Sequence, residues 1–336
     1  MHVFVYEYLS SGALGETAAA PSLQTEGWAM LSAVLEDFGR CPGVETVTLL
    51  DRRLLPRVAD LAPRVAAHAA PVGEEEQTFR TLAAAADWSL VIAPEFEDIL
   101  FQRCRWVEEE GGRLLGPSSA AVRLTADKLA LACHWKAFGI PTPSSSSPCP
   151  QVCKPRFGAG SQATFLVHNE EELGRARRQA QNEGWSGELM LQSYARGLAV
   201  SVAFLSSEEW HSLPAVEQHL SKNGRFRYLG GRLPLPEALD HRARSQAERA
   251  ARCVEGLHGW YGVDLILGDA EDGSGDAVIE INPRLTTSYV GLRRLARFNL
   301  AEALLAAATG ARPPCRDWGT ESIAFRANGE IIRWAG

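Results

Sequence analysis

Over roughly the first 115 residues, short β-rich apolar runs alternate with amphipathic stretches. "HVFVYEY" gives way to "LQTEGWAMLSAVLEDFG", then "VETVTLL", and later "FRTLAAAADW", "SLVIAPE", "ILFQRCRWVEEEG" and "RLLG". Strand-like and helix-like runs in that order predict βαβ units on a parallel sheet with right-handed crossovers. Ligands of such sheets gather beyond the carboxyl ends of the strands. This chain places Glu7, Ser10, Ser11 and Gly12 there after the first run, and Glu95 in "VIAPEFEDIL". Loop polarity and capping explain those residues equally well.

The alternation changes after residue 116. A helix is predicted over "SAAVRLTADKLALACHWKAFG", with Gly139 as its stop and Pro141 and Pro143 beyond. The Pro/Ser connector "PTPSSSSPCP" marks a boundary. After it come the strand "QVCKPRF", a glycine turn "GAGSQ", the strand "ATFLV", the acidic-start helix "NEEELGRARRQAQNEG" and the strand "ELMLQSY". A third stretch holds the strand "LAVSVAFLS", a polar loop through "SKNGRFRYLGGRLP", a long helix over 237–259, the strand "GVDLILGD" and the apolar run "AVIEINPRLTTSYVG". The tail offers a helix near 299–309 and a hairpin in "AFRANGEIIRW" turning on Asn328-Gly329. The expected fold class is thus an α/β unit over 1–116, then α+β units over 117–192 and 193–336.

Composition narrows the partners. A length of 336 residues with 46% hydrophobic content is ample for more than one core. A net charge of -7 gives no basic footprint, so small molecules are expected as partners, not nucleic acid or a polyanionic membrane. "MHVFVYEYLS" has no basic leader before a long apolar core, and no run of about eighteen apolar residues follows, so a cytoplasmic location is expected. A homodimer is left open. The 7 cysteines read as reduced thiols, and Cys149 with Cys153 lacks the second pair a zinc site needs.

In "GVDLILGDAEDGSGDAVIEIN", Asp272-Gly273 lies midway between Asp264 and Glu280. A hairpin centred there sets the two acids opposite each other, where like charges repel. Strand alternation adds Asn282 to the face of Glu280 and turns Ile279 and Ile281 to the other, with Arg284 two positions further on. Two carboxylates and an amide oxygen suit a hard divalent cation that keeps open positions for water or phosphate oxygens. A solvated acidic face, offset by Arg284, is the competing reading.

"VCKPRFGAGSQATFLV" matches the dinucleotide-binding glycine fingerprint loosely, but a strand follows the glycines where a helix would have to begin. No P-loop motif occurs either. A strand, glycine turn and strand can still close over phosphates with backbone N–H groups. Lys154, inside the apolar strand ahead of the turn, needs solvent or an anionic partner. Lys128 is compatible with the same task or with a solvated helix face.

The ordered set Lys128, Lys154, glycine turn, "LMLQSYARG", Asp264, Glu280 and Asn282 resembles the ATP-grasp superfamily of carboxylate–amine ligases over about residues 1–310. The resemblance implies a Rossmann-like pre-ATP-grasp domain over 1–116, a lobe with the glycine-rich turn over 117–192, and a C-terminal lobe with the metal and substrate sites over 193–336. It implies ATP between the lobes, with Lys128 and Lys154 on the phosphates and Gly158, Ala159, Gly160 and Ser161 covering them. Gln192 and the backbone at Tyr194 and Ala195 would face adenine. Asp264, Glu280 and Asn282 would hold Mg2+ or Mn2+, and Arg284 would meet the transferred phosphoryl group. Many members carry a ribose-binding acid two residues after the glycine of the linking segment, whereas Gly197 here is followed by Leu198 and Ala199. The ribose contact therefore stays unassigned.

A narrower likeness, in "VYEYLSSG", "VIAPEFEDIL", "GRFRYLGGRLP" and "INPRLTTSYVG", is to the archaeal-type tyramine–glutamate ligases of methanofuran biosynthesis. It implies activation of a glutamate γ-carboxylate as an acyl phosphate and its displacement by an aromatic amine, with Arg284 and Lys154 central to catalysis. Thr286, Thr287 and Ser288 would meet the acid, Glu7 and Glu95 an ammonium group, and Ser11, Arg225 and Arg227 other parts of the substrates. Two rivals stand beside this reading: a nucleotide-binding regulatory module without turnover, suggested by Ala199, and a nicotinamide-linked oxidoreductase using the first unit.

Overall fold

The computed structural model describes residues 1–15, 21–144, 149–207, 210–311 and 317–333. Strand β1 (His2–Glu7) leads through helix α1 (Pro21–Phe38) to β2 (Glu45–Leu49); α2 (Leu55–Leu61), β3 (Val65–His68), α3 (Glu75–Ala85), β4 (Trp88–Ile92) and α4 (Ile99–Glu109) follow. All four strands pair in parallel in the order β3-β2-β1-β4, as the alternation predicts. The central β1 is covered on both faces: Val3 and Val5 share a core with Leu31, Val34 and Phe38 of α1, while Phe4 and Tyr6 pack with Phe79 of α3. The sequence reading omits β3, and "RLLG" contributes only an isolated bridge from Leu114 to Ser89.

The single helix expected after residue 116 is two, α5 (Ser119–Ala126) and α6 (Lys128–Ala137). Asp127 leaves helical geometry at φ -86°, ψ 95° and caps α6, its carboxylate accepting from the N–H groups of Leu129 and Ala130. Arg156 donates to the same carboxylate at 2.6 and 2.8 Å. The break makes Lys128 the first residue of α6. Residues 145–148 of the Pro/Ser connector lie outside the described residues.

Strands β5 (Gln151–Pro155), β6 (Phe165–Val167) and β7 (Leu189–Ser193), with α7 (Glu170–Asn182), form a small antiparallel sheet in the order β6-β5-β7. The remaining elements are β8 (Leu198–Ser206), β9 (Trp210–Ser212), β10 (Val216–Leu220), β11 (Tyr228–Leu233), α8 (Glu237–Arg252), β12 (Gly259–Leu267), β13 (Ala277–Asn282), α9 (Ser288–Leu295), α10 (Leu300–Thr309), β14 (Ile323–Arg326) and β15 (Ile331–Arg333). Their strands build an antiparallel sheet in the order β13-β12-β8-β10-β11-β14-β15, with β9 on β8.

Two sequence expectations are corrected here. The helix expected over 237–259 ends at Arg252, and "YLGGRL", expected as loop, is strand β11. Gly230 sits at φ 138°, and a Cβ there would collide with the Phe325 carbonyl oxygen of β14. The glycines that read as loop composition are what lets the two strands approach. The terminal hairpin forms as expected, with Phe325 opposite Ile331 and Gly329 at φ 85° in the turn.

A buried polar joint fastens the first unit to the last. Arg293 of α9 donates to Asp37 of α1 at 2.6 and 2.9 Å and to Glu36 at 2.8 Å, and Tyr289 Oη donates to Asp37 at 2.7 Å. The six described cysteines carry no disulfide, and Cys315 lies outside the described residues. No described helix is long and apolar enough to cross a membrane.

Candidate active site

Strand β12 runs between β8 and β13, with its Asp264 paired to Ser201 on one side and to Glu280 on the other. The expected opposition of the two acids is therefore present. A bulge just past Asp264 shifts the register, so that Leu265 pairs with Val278. Val278 and Ile281 enter the core, whereas Ile279 lines the cavity, contrary to strict alternation. The strand ends at Asn282, so Arg284 lies in the following turn and not on a further strand position.

Burial, reinforced by the facing Glu280, pushes the Asp264 carboxyl up to about 6. Its Oδ2 accepts from the Asn282 amide at 3.0 Å, while Oδ1 finds no partner with hydrogen-bond geometry. Burial also opposes ionisation of Glu280, but Lys128 and Lys154 outweigh it and hold this carboxyl low. Lys128 Nζ lies 3.2 Å from Glu280 Oε2 and donates to the Gly158 carbonyl at 2.9 Å. Lys154, 8% exposed on β5, is pulled down to about 8 by burial, with Glu280 opposing the fall.

The glycine turn takes left-handed backbone at Gly160 (φ 64°), Ser161 (φ 56°) and Ala163 (φ 44°). Ser161 Oγ donates to the Phe226 carbonyl at 2.7 Å, and Gly160 rests against Leu23 of α1 so closely that a Cβ would overlap it. Gln192 Nε2 donates to Pro143 O at 3.4 Å, and the Tyr194 N–H is committed to Pro150 O at 3.0 Å.

One cavity of about 250 Å³ is lined by Lys128, Lys154, the turn 158–161, Gln192, Tyr194, Ala195, Asp264, Glu280, Asn282, Arg284 and the hydroxyls of 286–288. Arg284 Nη2 donates to Glu95 Oε2 at 3.4 Å, and its Nε lies 2.9 Å from Glu95 Oε1, so the two form an ion pair. Thr286 and Ser288 share a hydroxyl hydrogen bond of 2.8 Å.

Five expected substrate residues do not line this cavity: Glu7, Ser11, Glu95, Arg225 and Arg227. Glu95 stands behind Arg284. Glu7 accepts from the N–H groups of Leu9 and Ser10 and from the Ser10 hydroxyl, and burial pushes its carboxyl up to about 7. Ser11 Oγ donates to the Tyr8 carbonyl at 2.8 Å. Arg225 grips Glu183 through two bonds of 2.7 Å and lies over the Phe165 ring, and Arg227 is exposed.

Conversely, Glu26, Ser201, Gln218 and Phe226 line the cavity and the sequence reading missed them, while Tyr228, expected beside Arg225 and Arg227 in a loop over the site, does line it. Ser201 had a signal, a polar residue inside "LAVSVAFLS", and Glu26 another, an acid on the apolar stripe of α1. Two facing carboxylates, an adjacent amide and an oxygen without a partner form a small hard-oxygen donor set. Among the described residues no group of three or more His, Cys, Asp or Glu is arranged to hold a metal. The donor set therefore fits Mg2+ that completes its shell from ligand oxygens and water, not a closed protein cage.

Residues 125–288 match the ATP-grasp domain family, and residues 44–122 match the pre ATP-grasp 3 domain family. The tyramine–L-glutamate ligases of Methanocaldococcus jannaschii and Methanocaldococcus fervens are each 27% identical to this chain over 244 residues, covering 73% of it and 67% and 70% of themselves. A crystal structure from Archaeoglobus fulgidus, described as an ATP-grasp superfamily protein, has a TM-score of 0.75 at 23% identity, over 97% of this chain and 92% of that one. N5-carboxyaminoimidazole synthetase of Staphylococcus aureus, complexed with ADP, has a TM-score of 0.70 at 15% identity, over 96% and 81% of the two chains. Residues 125–288 thus form an ATP-grasp domain, with a pre-ATP-grasp domain over residues 44–122 ahead of it.

Proposed function

We propose that the protein is an ATP-dependent carboxylate–amine ligase that joins the γ-carboxylate of glutamate to tyramine or a similar amine through an acyl phosphate. The observation that carries this reading is the single cavity joining two lysines, a left-handed glycine turn, a facing acid pair and Arg284. The names of the methanocaldococcal relatives support the choice of acid and amine. On this reading the chain divides into the pre-ATP-grasp unit 1–116, the glycine-turn lobe 117–192 and the C-terminal lobe 193–336.

An ionised carboxylate resists amine attack because oxide would have to leave, so ATP first transfers its γ-phosphoryl group to the acid. Such transfer asks a protein for positioning and charge neutralisation. Lys128 and Lys154 supply positive charge beside the phosphates, and left-handed backbone at 160 and 161 aims N–H groups at them. Asp264, Glu280 and Asn282 would hold Mg2+, which neutralises phosphate charge. Arg284, oriented by Glu95, grips the acid and the phosphoryl group as it moves. Thr286, Thr287 and Ser288 offer hydroxyls to the acid. The amine then displaces inorganic phosphate and the amide remains.

The test is ADP release measured across a panel of amino acids and amines. Release with glutamate and tyramine together, accompanied by amide, is the expected result. Release with a different pair would leave the ligase class standing and remove the substrate choice. Nucleotide binding without turnover on any pair would favour a regulatory module.

A further inference from the structure

One carboxylate at the cavity has no task in the reaction above. Glu26 lies three residues after Leu23 and four before Met30, on the stripe of α1 that buries Leu23, Gly27, Met30 and Val34. It is half-buried and lines the cavity from α1 of the first unit. The Thr287 hydroxyl beside it favours its charged form, and Arg284 and Tyr228 are the other charged or titratable groups in its field. Arg284 is already matched by Glu95 at 2.9 Å, and Lys128 by Glu280 at 3.2 Å. Glu7, also near Arg284, has its carboxylate committed to Leu9 and Ser10 and does not reach the cavity. Glu26 is therefore the surplus negative charge that faces the space where the acid and the amine must meet.

We infer that Glu26 is the general base of the second half-reaction, receiving the amine substrate as its ammonium ion and removing a proton before attack; this rests on the ligase reading above. The proton passes from R–NH3+ to the Glu26 carboxylate. The freed nitrogen lone pair then forms the C–N bond as the acyl carbon–oxygen bond to phosphate breaks. The second N–H proton leaves with inorganic phosphate, and Glu26 returns its proton to water. Burial, with Arg284 pulling the other way, pushes the Glu26 carboxyl up to about 7, which suits proton transfer near neutral pH.

The experiment compares Glu26→Gln and Glu26→Asp with the wild-type protein, using either tyramine or hydroxylamine as nucleophile with whichever acid the wild type accepts. Hydroxylamine is largely unprotonated at neutral pH and needs no base. Glu26→Gln should lose amide formation with tyramine by about 100-fold or more, while hydroxamate formation changes by less than about threefold. Glu26→Asp should recover part of the loss, and the acidic limb near pH 7 in the tyramine profile should vanish in the Gln variant. An equal fall with both nucleophiles, or a raised KM for the acid with kcat kept, would overturn the assignment. So would an unchanged tyramine rate. If the wild type releases no ADP with any acid, the ligase reading itself falls and takes this inference with it.

Discussion

Arg293→Met tests how firmly the first unit is fastened to the site. Arg293 and Asp37 are 7% and 8% exposed, and the guanidinium donates to both Asp37 oxygens and to Glu36. Methionine keeps much of the volume but leaves Asp37 a buried anion with the Tyr289 hydroxyl as its remaining side-chain donor and only the largely exposed Arg40 guanidinium, 3.9 Å away, as a counter-charge. Removing one partner of a buried pair costs about 3–5 kcal/mol, chiefly through the uncompensated charge. Glu36, 20% exposed, rehydrates and adds at most about 1 kcal/mol. Urea unfolding should therefore show a loss of about 3–5 kcal/mol in Arg293→Met, and at least half of it should return in Arg293→Met/Asp37→Asn. Because α1 carries Glu26 and α9 begins at Ser288, the single variant should also raise the KM for the acid. A loss below about 1 kcal/mol, or strictly additive effects in the double variant, would refute the argument.

Asp264→Ala, Glu280→Ala and Lys154→Ala should each abolish ADP release while circular dichroism stays native; turnover at the wild-type rate would remove the site assignment. Lys154→Met should stabilise the free protein at pH 7, because burial lowers this lysine from 10.5 to about 8 and its charged form disfavours folding. A depressed pKa makes its stability contribution complete above 10.5 and lost as pH falls through 8, so the gain from methionine should shrink towards pH 10.5 in denaturation curves. A gain independent of pH would contradict this. Gly160→Ala should weaken nucleotide affinity on the order of tenfold, through left-handed strain and overlap with Leu23. Leu23→Ala in the same chain should restore part of it, as titration with a fluorescent nucleotide would report.

What the sequence discloses here is what local rules govern. The parallel sheet follows from the order of periodicities, whereas the facing of Asp264 and Glu280 owes one residue to the bulge past Asp264, because continuing the pairing of Leu265 with Val278 would set Asp264 opposite Ile279. Features requiring a distant partner are hidden. Asp127 breaks a helix in cooperation with Arg156, and "YLGGRL" is a strand because β14 lies against Gly230. Arg225 is drawn from the cavity by Glu183, 42 residues earlier in the chain. The one-residue bulge that turns Ile279 outward has no compositional mark, since isoleucine fits either face. Glu26 is visible as an acid on an apolar stripe, but the Arg284 and Thr287 that give it meaning are more than 250 positions away.

The hairpin that carries the acid pair is closed at its far end by a clasp. Asp276 accepts from the Gly268 N–H at 2.9 Å and from Arg242 at 2.9 Å, while residues 269–275 outside it are largely solvent-facing. Strand pairing from Gly262 to Asp264 is set by β8 as well as β13, so it does not depend on what the tip contains. The protein therefore offers a natural handle: a fluorophore or a longer peptide could be spliced in there to report on catalysis from outside, leaving the chemistry undisturbed.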